Sequence, residues 1–204
     1  MSKNRSIRLA AESDSNAILQ IYAPFITSTA ITFECQVPTI AEFRDRMAEI
    51  QRKYPWLVCE INNNILGYAY ASPFNEREAY NWSVDFSVYV SPQYHGKNIG
   101  KAFYFTLFEL LKLQGYYNAY AIVVLPNTKS ECLHESFGFK EIGVCENAGY
   151  KLGNWHDVKW YGIKINEYAP SPAKPKSIDE ICSMDEFKTI MDKAGQMIKY
   201  ENER

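Results

Sequence analysis

One stretch constrains this chain more than any other: Phe86 to Lys101, which reads Phe-Ser-Val-Tyr-Val-Ser-Pro-Gln-Tyr-His-Gly-Lys-Asn-Ile-Gly-Lys. An apolar strand runs there into a turn of small and basic residues that opens a long helix. The first N–H groups of a helix have no internal partner, and its macrodipole places roughly half a positive charge at that end, so the geometry suits a bound phosphate. Gly96 and Gly100 carry no Cβ to hold a ligand away, and asparagine, here Asn98, is a residue type that tolerates left-handed backbone angles. Lys97 and Lys101 add full charges.

Two phosphate-binding patterns are excluded. A Walker loop needs a Gly-Lys-Ser/Thr ending and a dinucleotide fold needs three glycines at fixed spacing, and neither is present. The run His95-Gly-Lys-Asn98-Ile-Gly100 resembles the shorter pyrophosphate loop of the GNAT superfamily of N-acetyltransferases, with His95 in place of Gln or Arg and Asn98 in place of the first Gly. An ordinary glycine-containing strand-to-helix turn has the same outline, so the flanks decide. They include Tyr54-Pro-Trp-Leu-Val58, Ala79-Tyr-Asn-Trp82, Val88-Tyr-Val-Ser91, Leu125-Pro-Asn127, Leu133-His-Glu135 with Gly138, Ala148-Gly-Tyr-Lys151 and Trp155-His-Asp-Val158. In order and spacing these resemble the phosphinothricin acetyltransferases, one branch of that superfamily, from about Ile7 to Ile165.

With 204 residues the chain is long enough for one well-buried domain and short for two. Its net charge of −2 gives no general attraction to nucleic acid or anionic membrane, so basic character is local. Five cysteines, Cys35, Cys59, Cys132, Cys145 and Cys182, are odd in number and never spaced as Cys-x-x-Cys, which argues for reduced thiols in a cytoplasmic protein and against a zinc site. Cys132 reads as a core cysteine. The first residues lack a signal-peptide core, and no stretch approaches about 18 apolar residues. The expectation is a soluble intracellular protein with no metal.

Periodicity then orders the elements. A strand over Ile7 to Ala10 precedes a helix capped by Ser13, with Ile18, Ile21, Tyr22 and Phe25 on its apolar face, and a second helix spans Thr39 to Gln51. Trp56–Ile61 and Ile65–Ala71 form a hairpin about Asn62-Asn-Asn64, and Trp82 to Val90 leads into the anion loop. A helix from Gly100 to Leu113, a strand from Ala119 to Leu125, a helix ending at Gly138, and strands over Phe139 to Cys145 and Val158 to Ile165 follow. The expected layout is a GNAT-type α/β unit over 1–168, a Pro-rich linker over 169–183 and a C-terminal amphipathic helix over 184–204, with Ser183 as its cap. That helix packs back on its own domain or pairs with another subunit.

The resemblance implies a mixed, mostly antiparallel sheet flanked by helices, a homodimer, and transfer of acetyl from acetyl-CoA to a small amino-acid-like amine. It places backbone groups of Val88, Tyr89 and Val90 along the pantetheine arm, the loop from His95 through Gly96, Lys97, Asn98, Ile99 and Gly100 to Lys101 at the pyrophosphate, and Asn127 on the cofactor. Asp85 stands where the family carries Glu, about 1.5 Å shorter, and is either the base that takes the amine's proton or an exposed strand carboxylate. His134 is either the acid that meets the leaving thiolate or a structural histidine. Phe33 is a wall of the acceptor site or a core contact, and Arg77 and Tyr80 match positions that approach the acceptor. Asn75 replaces an expected Lys, and His156 is left without a role. The rival reading is a non-catalytic GNAT domain that senses acyl-CoA or engages a partner.

Overall fold

A computed structural model describes residues 5–199, so the first four residues of the expected domain and positions 200–204 of its last helix lie outside the described residues. β1 (Arg5–Leu9) leads through a single 3₁₀ turn, Glu12–Asp14, into α1 (Ser15–Ser28). Ser13 lies inside that turn and does not cap the helix. Asp14 precedes it instead, its carboxylate accepting from Arg8 at 2.6 and 3.0 Å and from the Ala11 N–H at 2.8 Å. α2 (Ile40–Gln51) opens on a reciprocal box between Thr39 and Glu42, which satisfies two donors the helix leaves free. Phe43 and Met47 are its buried stripe.

β2 (Trp56–Ile61) folds onto β3 (Asn64–Pro73) through Asn62 and Asn63, whose φ of 51° and 63° matches the twist of a two-residue hairpin. β4 (Ser83–Val90), α3 (Ile99–Gln114), β5 (Asn118–Val124) and α4 (Thr128–Ser136) follow within a residue or two of expectation. β6 (Lys140–Lys151) and β7 (Asn154–Lys164) run further than the periodicity indicates, joined by Leu152 and Gly153 in another tight turn. β6 is mostly exposed, so pairing defines this hairpin more than burial does, and hydrophobic alternation is weak along it.

The sheet is mixed, with order β1-β2-β3-β4-β5-β7-β6, antiparallel throughout except between β4 and β5. Alternation along β2 feeds two cores. Trp56 and Val58 face α1 and α2 with Ile18, Tyr22 and Phe43, while Leu57 and Cys59 face α3 with Phe103, Leu107 and Leu111. Trp56 stacks on Tyr70 at 4.2 Å, and Tyr68 on Tyr89 at 5.1 Å, carrying the first core up to β4.

Within the stretch read as a linker, a short helix α5 (Ile178–Cys182) forms because Ser177 and Glu180 make a capping box. α6 (Asp185–Met197) follows Met184, and Ser183 does not cap it. Ile178, Ile181, Ile190, Ala194 and Ile198 are buried in the same cluster as α3, so the C-terminal helices pack on their own domain. Ile181 is fully buried. Ile181→Ala is expected to lower the unfolding free energy by about 2–5 kcal/mol in a denaturant titration, and a loss under about 0.5 kcal/mol would put α5 outside the core.

Candidate active site

β4 and β5 pair only through Ser83–Asn118, Val84–Ala119 and Asp85–Tyr120. Beyond Asp85 the strands part: β4 stays with β3 up to Val90, and β5 stays with β7 up to Val124. Between them opens a cleft of about 680 Å³, lined by Phe86 to Val90 on one side and Ile122 to Val124 on the other, with α3 and α4 behind. The edge of β4 that faces β5 therefore carries backbone donors and acceptors free of any strand along Val88, Tyr89 and Val90.

At the far end of β4 a 3₁₀ turn, Pro92–Tyr94, precedes His95, whose Nε2–H donates to the Val90 carbonyl at 3.0 Å. That bond ties the loop to the strand end. Gly96 (φ 81°) and Asn98 (φ 61°, ψ 10°) are both left-handed, and Asn98 thereby turns the chain into α3. The first helical bond runs from the Ala102 N–H to the Asn98 carbonyl, so the N–H groups of Ile99, Gly100 and Lys101 have no helical acceptor. His95, Gly96, Asn98, Ile99, Gly100 and Lys101 all line the cleft. Lys97 does not. Its ammonium lies over the Tyr94 ring at 5.2 Å.

Asn127 lines the cleft and also caps α4, its Oδ1 accepting from the Ser130 N–H at 3.3 Å. Its Nδ2 is the group turned to a ligand's acceptors. His134, 4% exposed, reaches the same cleft. Its Nδ1 lies 2.7 Å from the Ser130 carbonyl, which only accepts, so the ring proton sits on Nδ1. Burial lowers the imidazole pKa below its ordinary value, leaving Nε2 unprotonated and accepting from the Tyr104 hydroxyl at 2.6 Å. At neutral pH its one N–H is therefore donated to a carbonyl. Tyr104, unremarked in the sequence, also lines the cleft, one helical turn beyond Gly100. Cys132 is exposed and not a core residue.

Asp85 is the last residue of β4 that pairs with β5, at the apex where the two strands part. Its Oδ1 is buried with no hydrogen-bond partner among the described residues, and burial pushes its pKa up to about 7. It shares a strand face with Ser87 and Tyr89, turned toward α1 and α2. Phe74, 4.2 Å from Tyr120 and 5.5 Å from Tyr80, builds an aromatic wall next to it. Tyr80 thus approaches Asp85 through Phe74 and Tyr120, whereas Arg77 is exposed at the start of the 3₁₀ turn Glu78–Tyr80. Phe33, 38% exposed, does not line the cleft, but Ile31 and Phe25 from the same region do.

A parted parallel pair with an anion-ready helix start at its far end is an arrangement that fits an acyl-CoA. Residues 7–160 match the family described as "Acetyltransferase (GNAT) domain". The chain belongs to the GNAT acetyltransferases. It is 35% identical over 169 residues to a phosphinothricin N-acetyltransferase of Streptomyces viridochromogenes, covering 83% of this chain and 91% of that protein. It is 28% identical over 172 residues to an L-methionine sulfoximine/L-methionine sulfone acetyltransferase of Salmonella typhimurium, covering 82% and 99%. A GNAT phosphinothricin acetyltransferase from Sinorhizobium meliloti, solved in complex with acetyl-CoA, superposes with a TM-score of 0.78 at 31% identity over 86% of this chain and 94% of that one. The GNAT cleft here fits acetyl-CoA on its own residues: free helix N–H groups, Lys101 and the Asn127 amide for the anionic and amide parts, and an unpaired β4 edge for the arm.

The raised Asp85 pKa carries a sign for stability. A carboxyl that titrates near 7 in the fold and near its ordinary value when unfolded favours the folded state less as pH rises through that window. Asp85→Asn, which carries no charge, is expected to melt about 2–6 °C above the parent at pH 8, with the gap closing by pH 4, where both side chains are neutral. The reverse order in thermal melts would mean that the Asp85 carboxylate has a stabilising partner.

Proposed function

We propose that this GNAT domain transfers acetyl from acetyl-CoA to the α-amine of a small amino acid or analogue of the phosphinothricin, methionine sulfoximine or methionine sulfone type. The observation that carries the reading is the cleft between β4 and β5, lined by the free edge of β4 and by the anion-ready start of α3; Asp85, the last β4 residue paired with β5, whose carboxyl Oδ1 has no hydrogen-bond partner among the described residues, supports it without itself lining the cleft. The printed activities of the relatives supply the acceptor class.

Acetyl-CoA supplies an acetyl group already activated as a thioester, so an amine can attack directly and no covalent enzyme nucleophile is needed. An amine arrives mainly as ammonium at neutral pH. The Asp85 carboxylate takes its proton, directly or through a water, and a pKa near 7 lets the group serve as base without binding the proton permanently. N–H groups on the free edge of β4 lie where negative charge on the carbonyl oxygen is to be met. As the carbon–sulfur bond breaks, the Tyr104 hydroxyl turns from His134 to hydrogen-bond the departing sulfur; burial raises the phenol's pKa, so it keeps its own proton, and the second proton that the nitrogen sheds on becoming an amide passes to the sulfur, so that coenzyme A leaves as the thiol.

Tyr80 and Phe33 do not line the cleft, so as acceptor contacts they rest, with Arg77 on its exposed loop, on the resemblance; an arginine fork suits an acceptor's oxyanion. A homodimer is supported by Ile142, Val144, Tyr150, Leu152 and Trp155, all exposed on β6, β7 and their turn. A cytoplasmic setting is supported by five cysteines that remain thiols.

Thiol release from acetyl-CoA across a panel of amino acids, phosphinothricin, methionine sulfoximine and methionine sulfone tests the reading, and no release with any of them would refute it. With an active acceptor, kcat/KM is expected to rise with pH about a midpoint near 7 as Asp85 ionises. Asp85→Asn should remove that limb and lower kcat by about 10²–10⁴-fold while leaving acetyl-CoA affinity intact. Parent-like turnover across neutral pH would make Asp85 structural.

A further inference from the structure

The segment 148–158 takes no part in the chemistry above, yet Gly149, Lys151 and His156 lie against the loop between α1 and α2, residues 29–38. Lys151 is 5% exposed, and its Nζ donates to the Thr32 carbonyl at 2.6 Å. Among the described residues no carboxylate pairs with it at salt-bridge distance, so a buried ammonium is held here chiefly by a backbone oxygen. At Gly149 an added Cβ would lie 2.3 Å from Phe33 Cε2, so only glycine leaves room for that ring. His156 donates from Nε2 to the Lys151 carbonyl at 3.0 Å, and Asp157 Oδ1 accepts the Asn147 N–H at 2.8 Å, which together set the hairpin that presents Lys151.

From the other side Thr32 Oγ1 bonds the Tyr22 hydroxyl at 2.8 Å, and Glu34 pairs with Arg46 at 2.6 Å. Residues 32, 33 and 34 are therefore pinned in succession, by β6, by β6 again and by α2. The next residue back, Ile31, is a wall of the cleft, and Tyr22 lies 4.9 Å from Tyr89 of β4.

We propose that Lys151 is a positioning residue for the amine acceptor: by holding the Thr32 carbonyl it fixes the 29–38 loop, and with it Ile31, over the acceptor end of the cleft. This deepens the acetyltransferase reading and rests on it. Specificity for the acceptor is thereby set partly by a hairpin that touches neither substrate.

The test uses the full chain and two readouts. Hydrogen exchange in Lys151→Met is expected to be about tenfold or more faster at amides 29–37 with α3 and β4 unchanged. On the best acceptor of the parent, its Michaelis constant should rise about tenfold while that of acetyl-CoA moves less than about twofold, and Lys151→Arg, which keeps a cationic donor, should recover part of the loss. Gly149→Ala, which displaces Phe33 from the exposed hairpin without touching the ammonium, should raise the acceptor constant selectively as well. Unchanged loop exchange in the folded variants, or equal rises in both Michaelis constants, overturns the proposal. Failure of the parent to acetylate any acceptor would count against the acetyltransferase reading instead, and the exchange measurement would still decide whether Lys151 holds the loop.

Discussion

Where the pairing of β4 and β5 stops decides the rest of this structure. Two parallel strands are joined for three residues and then diverge, each kept straight by an antiparallel neighbour on its far side. Backbone groups that a continuous sheet would satisfy internally are left for a ligand, at the place where an α/β sheet also presents a helix start. Removing that divergence would close the cleft without changing any of its side chains. On one face α3, buried along Phe103, Leu107 and Leu111, packs against β2, β3 and β4.

The same divergence explains the electrostatics. Asp85 is the last β4 residue with a strand on both sides, so it is largely enclosed, with aromatic neighbours and no cation in contact, and nothing offsets the loss of water around its charge. A stable fold would prefer an amide there. The stacked Trp56, Tyr70, Tyr68 and Tyr89 beside it supply apolar burial that tolerates such a group. His134 follows the same logic in reverse: burial keeps it neutral, and two fixed neighbours choose its tautomer.

Much of this was legible in the residues, and the failures have physical causes. The strand–turn–helix at 86–101 was readable because glycine, asparagine and lysine announce both a backbone geometry and a charge. Whether Lys97 turns to that loop's anion side is not legible, because sequence distance from Gly96 says nothing about which side of a left-handed turn a side chain leaves from. His134 was found, but its proton was not, since a tautomer depends on the Ser130 carbonyl and the Tyr104 hydroxyl, brought together by two different helices. The far half of the β6–β7 hairpin was missed because strands that bury little show little alternation. Ser177 and Glu180 were legible as a capping box and were passed over beneath the prolines.

Asn98 stands in a left-handed conformation at the turn into α3. Glycine at such a place roams widely when the loop is empty and must give that freedom up when an anion arrives; a residue with a side chain has fewer backbone states to surrender. The departure from the usual loop therefore acts on entropy and not on contacts. Holding the left-handed turn costs some folding stability, and in return the helix N–H groups stand ready, so the free energy of ordering is met when the chain folds and not each time a cofactor binds.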